Sequence, residues 1–371
     1  MPSTPRCIAV QTATEQYDIH IGAGALAHLG QQTRAWNKGK KAFMLTHPSL
    51  YELYGGRLSE SLRAADYAVE SCLVPEGERS KTLRHAARLF TRLARMGADR
   101  QSVIFALGGG VIGDLSGFVA ASYMRGIPLV HVPTSLLAMV DSSIGGKTGV
   151  NHPLGKNLIG AFYPPRMVVT DTSLLASLPE REYLCGLSEI VKAGAIGDPE
   201  LFAFMENRVQ AIRERDEATL TTLIERAIAV KVRVVQEDPT EKGVRAILNF
   251  GHTIGHALEA ATAYAQYTHG EAVAIGMALV ARLSERLEYC SADVRQRLYD
   301  LLTALRLPVA YADIMPQPLL DVMAHDKKSV NGVVRFVMLE DIGSVAFQQS
   351  VPLDVLQGLL EEYAAAPATA P

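Results

Sequence analysis

Short runs of mostly apolar residues recur through the first half of the chain, at residues 41–46, 67–73, 102–107, 128–133 and 167–171. Runs of this length between polar segments are typical of strands buried in a sheet. Segments with apolar residues at helical spacing lie between several of these runs, as at residues 82–96. Because strands and helices alternate, the pattern predicts a parallel sheet with helices on its faces.

The pattern of apolar positions changes after Pro179. Helical periodicity then dominates, at residues 181–194, 199–214, 218–236, 251–263, 270–287 and 292–305. The late segment 333–347 is an exception, because residues 341–344 can turn a small hairpin. We therefore predict an α/β domain at residues 1–178 and an otherwise all-α domain at residues 179–371.

Composition and charge narrow the class of protein. The 371 residues carry 36 Lys+Arg against 39 Asp+Glu, a net charge of −3, which gives no reason to expect nucleic acid or an anionic membrane as a partner. No apolar segment approaches the roughly 18 residues that span a bilayer, and the N-terminus lacks the pattern of a signal peptide. The four cysteines are far apart and resemble reduced thiols. We expect a cytoplasmic protein.

A glycine-rich turn follows the run at residues 102–107. Gly108, Gly110 and Gly113 have the spacing G-x-G-x-x-G at the start of a helical pattern, where a pyrophosphate can approach the backbone amides. The motif follows at least the third predicted strand, and no acidic residue ends the next one. By itself it leaves open a dinucleotide site and a merely tight turn. The charged turn at residues 75–81 is either part of such a site or a solvated loop.

Residues 141–157 form a glycine-rich stretch with the lysines Lys147 and Lys156, two asparagines and several hydroxyl groups. Exposed amides, point charges and neutral donors together suit a phosphate. The stretch nearly matches a nucleotide-triphosphatase loop at residues 146–148, but Asp141 stands where the first glycine should be. The alternative is a flexible basic surface loop.

Histidines and a carboxylate stand out in the helical half. His252 and His256 are four residues apart, so they share one face of a helix. His269 follows at the start of the next helix, and Glu189 lies three residues before Lys192 on an earlier one. Three imidazoles and a carboxylate can hold Zn²⁺ with one position open for catalysis. Spacing alone favours His252 and His256 as the ligand pair.

Taken together, these stretches resemble the 3-dehydroquinate synthases, from about residue 75 to about residue 337. The resemblance is carried by the runs GGGVIGDLSGFVAASYMRG, VDSSIGGKTGVNHPLGKNLIGAFYPP, GLSEIVKAG, RAILNFGHTIGHALE, HGEAVAIGM and DKK, in the order of the family. It implies an N-terminal Rossmann-like NAD-binding domain, a helical metal- and substrate-binding domain, and a homodimer.

The resemblance also implies roles for individual residues. The implied metal ligands are Glu189, His252 and His269, which replaces the choice made from spacing and leaves His256 beside the metal or at the substrate. The implied NAD contacts are Glu78, Lys81, Gly109, Gly110, Val111, Gly113, Asp114, Thr134, Ser135, Asp141, Lys147, Lys156 and Ser177. The implied substrate contacts are Lys147, Asn157, Lys192, Lys231, Arg245, Asn249 and one of Lys327 and Lys328. Arg125 matches an arginine that reaches the phosphate site of a neighbouring subunit.

The substrate of the family, 3-deoxy-D-arabino-heptulosonate 7-phosphate, carries a carboxylate and a phosphate. The implied reaction passes a hydride to NAD⁺, eliminates phosphate, returns the hydride and closes the carbocycle of 3-dehydroquinate by an aldol step. Zn²⁺ or Co²⁺ would hold substrate hydroxyls. Arg245 would grip the carboxylate with two parallel bonds, and His256 would move a proton.

Three alternatives are weighed against this interpretation. Another sugar phosphate cyclase would act on a substrate that lacks the carboxylate expected at Arg245, Asn249 and Lys231. A metal-dependent glycerol or alcohol dehydrogenase has no use for the phosphate-binding stretch at residues 145–157. A nucleotide triphosphatase would need a glycine at position 141 and would not need the histidine cluster.

Overall fold

The chain divides into two units, residues 1–178 and residues 179–371. A seven-stranded sheet forms the centre of the first unit. The computed structural model describes residues 6–12, 15–241, 243–325 and 334–365. The strands of the sheet are β1 (Arg6–Gln11), β2 (Gln16–Ile21), β3 (Lys41–Thr46), β4 (Ala68–Leu73), β5 (Val103–Gly108), β6 (Leu129–Pro133) and β9 (Met167–Thr170). The five predicted strands are confirmed, whereas β1 and β2 were not predicted.

The strands lie in the order β1-β2-β9-β6-β5-β3-β4, and each neighbouring pair is parallel except β1 with β2. Every residue of β5, β6 and β9 is buried, which explains why these strands appear in the sequence as continuous apolar runs. In β2, by contrast, Tyr17, Ile19 and Ile21 are buried while the alternate residues face outwards.

Helices and one hairpin complete this unit. The helices are α1 (Leu29–Trp36), α2 (Pro48–Leu50), α3 (Gly56–Arg63), α4 (Leu83–Arg95) and α5 (Gly110–Ser122), with a π-helical turn at Tyr51–Gly55 between α2 and α3. The hairpin consists of β7 (Lys147–His152) and β8 (Gly155–Phe162) and packs on α5. The buried side chains of α4 and α5 form one core with those of β3 and β5.

The second unit is mainly helical. Its helices are α6 (Glu180–Gly197), α7 (Pro199–Glu206), α8 (Val209–Arg213), α9 (Glu217–Glu237), α10 (His252–Ala261), α11 (His269–Arg286), α12 (Ala292–Ala304), α13 (Pro316–His325) and α14 (Leu353–Ala365). The single helix predicted at residues 199–214 is in fact two, because the backbone leaves the helical conformation at Arg208. No helix in the described part of the chain is long and apolar enough to cross a membrane.

The hairpin predicted near residue 341 is confirmed as β10 (Val334–Asp341) and β11 (Ser344–Val351), which pair antiparallel. Strand β10 packs against α11. The second unit is therefore helical with one small sheet. Helix α13 precedes this sheet in the sequence and α14 follows it, and neither helix was predicted.

Glycines let α6, α10 and α11 approach one another closely. A Cβ atom on Gly276 of α11 would lie 2.0 Å from the carbonyl oxygen of Gly251, which precedes α10. A Cβ on Gly270 of α11 would lie 2.2 Å from the carbonyl oxygen of Cys185 on α6. Both distances are impossible for a real side chain, so glycine at these positions is what permits the packing.

Candidate active site

Three side chains from three helices converge in the second unit. Glu189 lies in the middle of α6, and His252 and His269 are the first residues of α10 and α11. Nε2 of His252 lies 3.6 Å and Nε2 of His269 lies 3.5 Å from Oε1 of Glu189. These distances are long for hydrogen bonds. They are close to the edge of about 3.4 Å in a tetrahedron whose metal–ligand bonds are about 2.1 Å, so the arrangement fits a metal ion.

The other nitrogen of each imidazole faces an acceptor. Nδ1 of His252 lies 3.1 Å from the carbonyl oxygen of Phe250, and Nδ1 of His269 lies 3.2 Å from Oε2 of Glu259. In the neutral form of each ring, a proton on Nδ1 satisfies the acceptor and leaves the Nε2 lone pair directed at Glu189. The tautomer that a metal requires is therefore the one that the surroundings favour.

Glu259, which is 7% exposed, was missed in the sequence analysis. It follows His256 by three residues and His252 by seven, so it lies on the same face of α10. That spacing was a usable signal, because metal-bound imidazoles commonly donate their second N–H to a carboxylate.

The Glu189 carboxylate is an anion with few partners. It is 3% exposed, and neither of its oxygens has a hydrogen bond of good geometry within the described residues. Lys192, one turn later and also buried, forms an ion pair with it. Burial by itself would raise the pKa of Glu189, but Lys192 and the two imidazoles outweigh burial and hold that pKa well below its usual value. A buried ionised carboxylate with open lone pairs suits a cation.

The two histidines differ in protonation. Burial, assisted by the charge of Lys192, lowers the pKa of His252 well below its ordinary value. Burial also disfavours the charged form of His269, but the carboxylates of Glu189 and Glu259 outweigh it and raise the pKa of His269 to about 10. A metal that binds here must therefore displace a proton from His269.

His256 lies beside the cluster. Its ring centroid is 5.3 Å from that of His252 and 6.0 Å from that of His269, and its side chain is exposed. His256, Glu259 and His269 also lie close enough to form a ligand group, but Glu259 already faces Nδ1 of His269. The geometry favours the group that contains Glu189 over the pair of His252 and His256 chosen from spacing.

Several contacts hold the start of α11, and with it His269. Thr268 and Glu271 form a capping box, and Arg181 of α6 donates to both oxygens of Glu271 at 2.8 and 2.7 Å. The amide of Gly270 donates to Sγ of Cys185 at 3.2 Å. Because Cys185 lies one turn before Glu189 on α6, these contacts place His269 opposite the carboxylate.

The second unit buries three cationic side chains that the sequence predicts at the substrate site. Lys192, Lys231 and Arg245 are 3%, 8% and 3% exposed. Lys231 lies on α9, and Arg245 and Asn249 lie on a 3₁₀ turn that packs against α6 and α9. Lys192 is accompanied by the carboxylate of Glu189, and Nη1 of Arg245 donates to the carbonyl oxygen of Pro239 at 2.7 Å. The predicted contacts Lys327 and Lys328 lie outside the described residues.

Most predicted NAD contacts of the first unit follow the carboxyl ends of its parallel strands, whereas Lys147 and Lys156 lie on the β7–β8 hairpin. Glu78 and Lys81 follow β4, residues 109–114 follow β5, Thr134, Ser135 and Asp141 follow β6, and Ser177 follows β9. These ends lie at one edge of the sheet because the strands are parallel. The chain passes from β3 to β4 on one side and then to β5 on the other, and such a switch in strand order is where α/β sheets bind ligands.

The glycine turn is tightly packed. Helix α5 begins at Gly110, and its N-cap residue, Gly109, has no side chain that could cap the first amides. A Cβ on Gly109 would lie 3.2 Å from Oγ of Ser135, and one on Gly110 would lie 3.0 Å from Oγ of Ser142. Asp114, in the first turns of α5, forms an ion pair with Lys81. The turn after β4 therefore lies beside the glycine turn.

The stretch predicted as a cationic loop is the β7–β8 hairpin. Lys147 is the first residue of β7, and Lys156 and Asn157 lie on β8. Strand β7 begins at Lys147, where the helix of a nucleotide-triphosphatase loop would begin. This excludes the nucleotide-triphosphatase loop at that position.

Asn151 attaches the hairpin to the turn after β4. Its side-chain amide donates to Oε1 of Glu78 at 2.6 Å, and its backbone amide donates to the carbonyl of Lys81 at 2.8 Å. Its Oδ1 accepts from the amide of Asn157 at 3.0 Å. The predicted phosphate-binding and NAD-binding residues of the first unit are thus neighbours.

Arg125 is exposed and has a positive φ of 68°.

Residues 71–185 and 186–329 match the family models described as 3-dehydroquinate synthase N-terminal and 3-dehydroquinate synthase C-terminal. The chain belongs to the 3-dehydroquinate synthase family. A curated 3-dehydroquinate synthase from Acidithiobacillus ferrooxidans is 44% identical, over 96% of this chain and 98% of its own. One from Gloeobacter violaceus is 45% identical, over 95% of this chain and 98% of its own.

Solved structures of two other cyclases share the fold of this 3-dehydroquinate synthase family member. A 2-deoxy-scyllo-inosose synthase complexed with carbaglucose-6-phosphate, NAD⁺ and Co²⁺ has a TM-score of 0.89 at 28% identity, over 96% of this chain and 100% of its own. The 2-epi-5-epi-valiolone synthase ValA from Streptomyces hygroscopicus, with NAD⁺ and Zn²⁺ bound, has a TM-score of 0.85 at 27% identity, over 96% and 99%. An iron-containing alcohol dehydrogenase, at a TM-score of 0.64 and 13% identity, shares the fold alone.

Proposed function

We propose that the protein is a 3-dehydroquinate synthase, which converts 3-deoxy-D-arabino-heptulosonate 7-phosphate into 3-dehydroquinate and inorganic phosphate. The observation that carries the proposal is the extent of the relation to curated synthases, at 44% identity over 96% of the chain. The Glu189, His252 and His269 cluster supports it, because a family member without a metal site would not keep two oriented imidazoles against a buried carboxylate.

The protein would use NAD⁺ and one divalent metal, Zn²⁺ or Co²⁺. Glu189, His252 and His269 would hold the metal, which when bound polarises substrate oxygens as a Lewis acid. NAD⁺ would lie at the carboxyl edge of the sheet, where the first amides of α5 carry the partial positive charge of a helix start. When bound, it would supply reversible hydride transfer and would not be consumed.

The cationic side chains would position the substrate. In the second unit, Arg245, with Asn249 and Lys231, would bind the carboxylate, since a guanidinium can hold it with two parallel bonds. In the first unit, Lys147 and Asn157 would bind the phosphate. The lysine would supply a positive charge, and the asparagine amide would supply a neutral hydrogen-bond donor. These assignments rest on the match of each residue to a substrate-contacting position in the motifs of the family.

His256 would move the proton that the reaction displaces. Its imidazole is exposed and adjoins both ligand rings, with centroids at 5.3 and 6.0 Å. Imidazole is the side chain that enzymes use most often as a general acid or base. Nε2 of His252, by contrast, is directed at Glu189.

Another sugar phosphate cyclase is the second candidate, because the solved structures with high TM-scores belong to such enzymes. The presence of Arg245 as a buried guanidinium, 3% exposed, favours a substrate with a carboxylate. Neither glucose 6-phosphate nor sedoheptulose 7-phosphate has one.

The decisive measurement is phosphate release from 3-deoxy-D-arabino-heptulosonate 7-phosphate, with the product identified by mass. Release should require NAD⁺, stop after metal chelation, resume on addition of Zn²⁺ and leave no net NADH. Glucose 6-phosphate and glycerol serve as control substrates. Turnover of either control, with no release from the heptulosonate in the fully loaded sample, would reject the proposal in favour of a sister enzyme.

We also propose that the protein is a cytoplasmic homodimer in which Arg125 serves the phosphate site of the partner. Exposed apolar side chains near this arginine and on the β7–β8 hairpin support an interface. Met124, Leu158 and Phe162 are 42%, 50% and 55% exposed, and a subunit contact would remove such apolar side chains from water.

A further inference from the structure

A second group of metal-ligating side chains lies in the first unit, on the outer face of the β1–β2 pair. Cys7 of β1 is directly opposite His20 of β2 in the antiparallel register, and Asp18 precedes His20 by two residues. Residues opposite each other across a ladder, or two apart on one strand, share a face of the sheet. The thiol, the carboxylate and the imidazole each offer a ligand atom within 4.8 Å of the other two.

This face of the strand pair has no part in the core. Tyr17, Ile19 and Ile21, on the opposite face of β2, are buried. Cys7 and Asp18 are exposed, and His20 is partly exposed. The proposed reaction assigns no role to these three polar side chains, which nevertheless converge.

The His20 imidazole is oriented by α1. Nε2 of the Gln32 side chain lies 3.3 Å from Nδ1 of His20 and, because an amide nitrogen only donates, Nδ1 accepts in this contact. Oε1 of Gln32 is buried and accepts no hydrogen bond within the described residues. Rotation of the amide by 180° would bring Oε1 to an Nδ1–H group, satisfy this oxygen and leave the Nε2 lone pair of His20 available to a cation.

We propose that Cys7, Asp18 and His20 form a second divalent-metal site, which binds Zn²⁺ or an ion of similar preference for sulfur and leaves a position for water. Thiolate, imidazole and carboxylate are all ligands of Zn²⁺, whereas a thiolate disfavours Mg²⁺ and Ca²⁺. A cation also relieves the repulsion between the thiolate and the carboxylate, and its binding releases the thiol proton. The ion would join β1 to β2 at the edge of the sheet.

The two sites differ in a way that a spectrum can detect. The cluster of Glu189, His252 and His269 contains no sulfur, whereas Cys7 supplies a thiolate. Co²⁺ bound to a thiolate absorbs in the near ultraviolet through charge transfer from sulfur, and Co²⁺ bound only to nitrogen and oxygen does not. The purified full chain, freed of metal by chelation, is titrated with Co²⁺ alone.

The parent protein should develop the charge-transfer band and bind two ions per chain by equilibrium dialysis. Cys7→Ser should lose the band and bind one ion, while Zn²⁺-supported turnover stays at the parental level. Cys290→Ser is the matched control, because Cys290 is only partly buried and lies outside the proposed site. This control should keep the band and both ions.

Absence of the band in the parent, or its persistence in Cys7→Ser, would overturn the proposal. Asp18→Asn and His20→Asn test whether the three residues act together. Both should shift the titration of the band to higher Co²⁺ concentration. An unchanged titration in both would mean that a lone thiol binds the ion adventitiously, and the proposed three-residue site would be wrong.

Discussion

The role of each histidine depends on which of its nitrogens is engaged. His252 and His256 lie on one face of α10, and their spacing does not distinguish them. The carbonyl of Phe250 faces Nδ1 of His252 and turns Nε2 towards Glu189. The side chain of His256, by contrast, is exposed. This orientation makes His252, and not His256, the proposed metal ligand.

Substitution of these two histidines should separate metal binding from proton transfer. His252→Ala should lose both the metal and phosphate release, because it removes a ligand. His256→Ala should keep the metal and lose about 10²–10⁴-fold in rate, the usual contribution of a general acid–base group. Metal content after dialysis and the rate of phosphate release are measured on the same samples. If both variants retain Zn²⁺ as the parent does, the ligand assignment is wrong.

Metal binding should release a proton from His269. Its pKa is raised to about 10 by the neighbouring carboxylates of Glu189 and Glu259, so near neutral pH the metal-free imidazole is charged, and the metal-bound one is neutral. About one proton per ion is therefore expelled, and the apparent affinity rises with pH until about pH 10.

Titration calorimetry in two buffers with different enthalpies of ionisation measures the number of protons released. Cys7→Ser is the suitable background, because it removes the thiol of the proposed second site. An affinity for Zn²⁺ that does not change with pH between neutrality and mild alkali would contradict the raised pKa.

At the scale of helices and strands, close approach of backbones brings together the three proposed metal ligands, Glu189, His252 and His269. Helices α6, α10 and α11 meet where glycines remove the side chains, and the amide of Gly270 reaches Sγ of Cys185. Burial raises the pKa of the Cys185 thiol to about 12, so this sulfur stays protonated and acts as a structural acceptor.

Gly270→Ala should damage both stability and the metal site. The added Cβ would lie 2.2 Å from the carbonyl oxygen of Cys185, so α11 must move away from α6. We expect a loss of about 1–3 kcal/mol in the free energy of unfolding, together with weaker Zn²⁺ binding. Urea titration and metal dialysis measure the two effects.

Gly358→Ala is the matched control. Gly358 lies inside α14, and the nearest atom to an added Cβ is 3.9 Å away. This variant should be neutral or gain up to about 1 kcal/mol from the better helix propensity of alanine. Equal behaviour of the two variants would show that the contact between α6 and α11 has no part in the metal site.

At the scale of the whole molecule, the exposed Arg125 has no obvious role within one subunit. It lies next to Met124, and both residues have positive φ angles, of 68° and 50°. Strained backbone of this kind outside glycine persists where function or packing requires it. An arginine that reaches a partner subunit would account for the conformation.

Mixing two inactive variants tests whether Arg125 acts across subunits. Arg125→Ala and His252→Ala are each expected to be nearly inactive alone. If Arg125 serves the partner, a mixed dimer of the two contains one intact site. Random exchange of subunits then restores about a quarter of the parental rate. No recovery after exchange, with dimers present by sedimentation, would place Arg125 in the site of its own subunit.

Buried strands and long helices could be predicted from the sequence because burial requires apolar side chains. These recur at helical spacing in helices and form continuous runs in strands that are buried on both faces. β5, β6 and β9 are buried on both faces and appear as continuous apolar runs. The β7–β8 hairpin could not be predicted, because β8 is largely exposed and its glycines and lysines are also typical of a loop. The outward alternation of β2 was similarly too short and too polar to be recognised.

For the site, the sequence by itself determined which chemical groups the chain carries: two histidines on one helix, a third at the start of the next, and a carboxylate with a lysine one turn away. Only the tertiary structure decided that Nε2 of His252 and of His269 face Glu189, and that Glu259 supports His269 from behind. The physical reason is that orientation depends on contacts between distant segments, such as the meeting of Cys185 with Gly270. Residue spacing along one helix carries no information about such contacts.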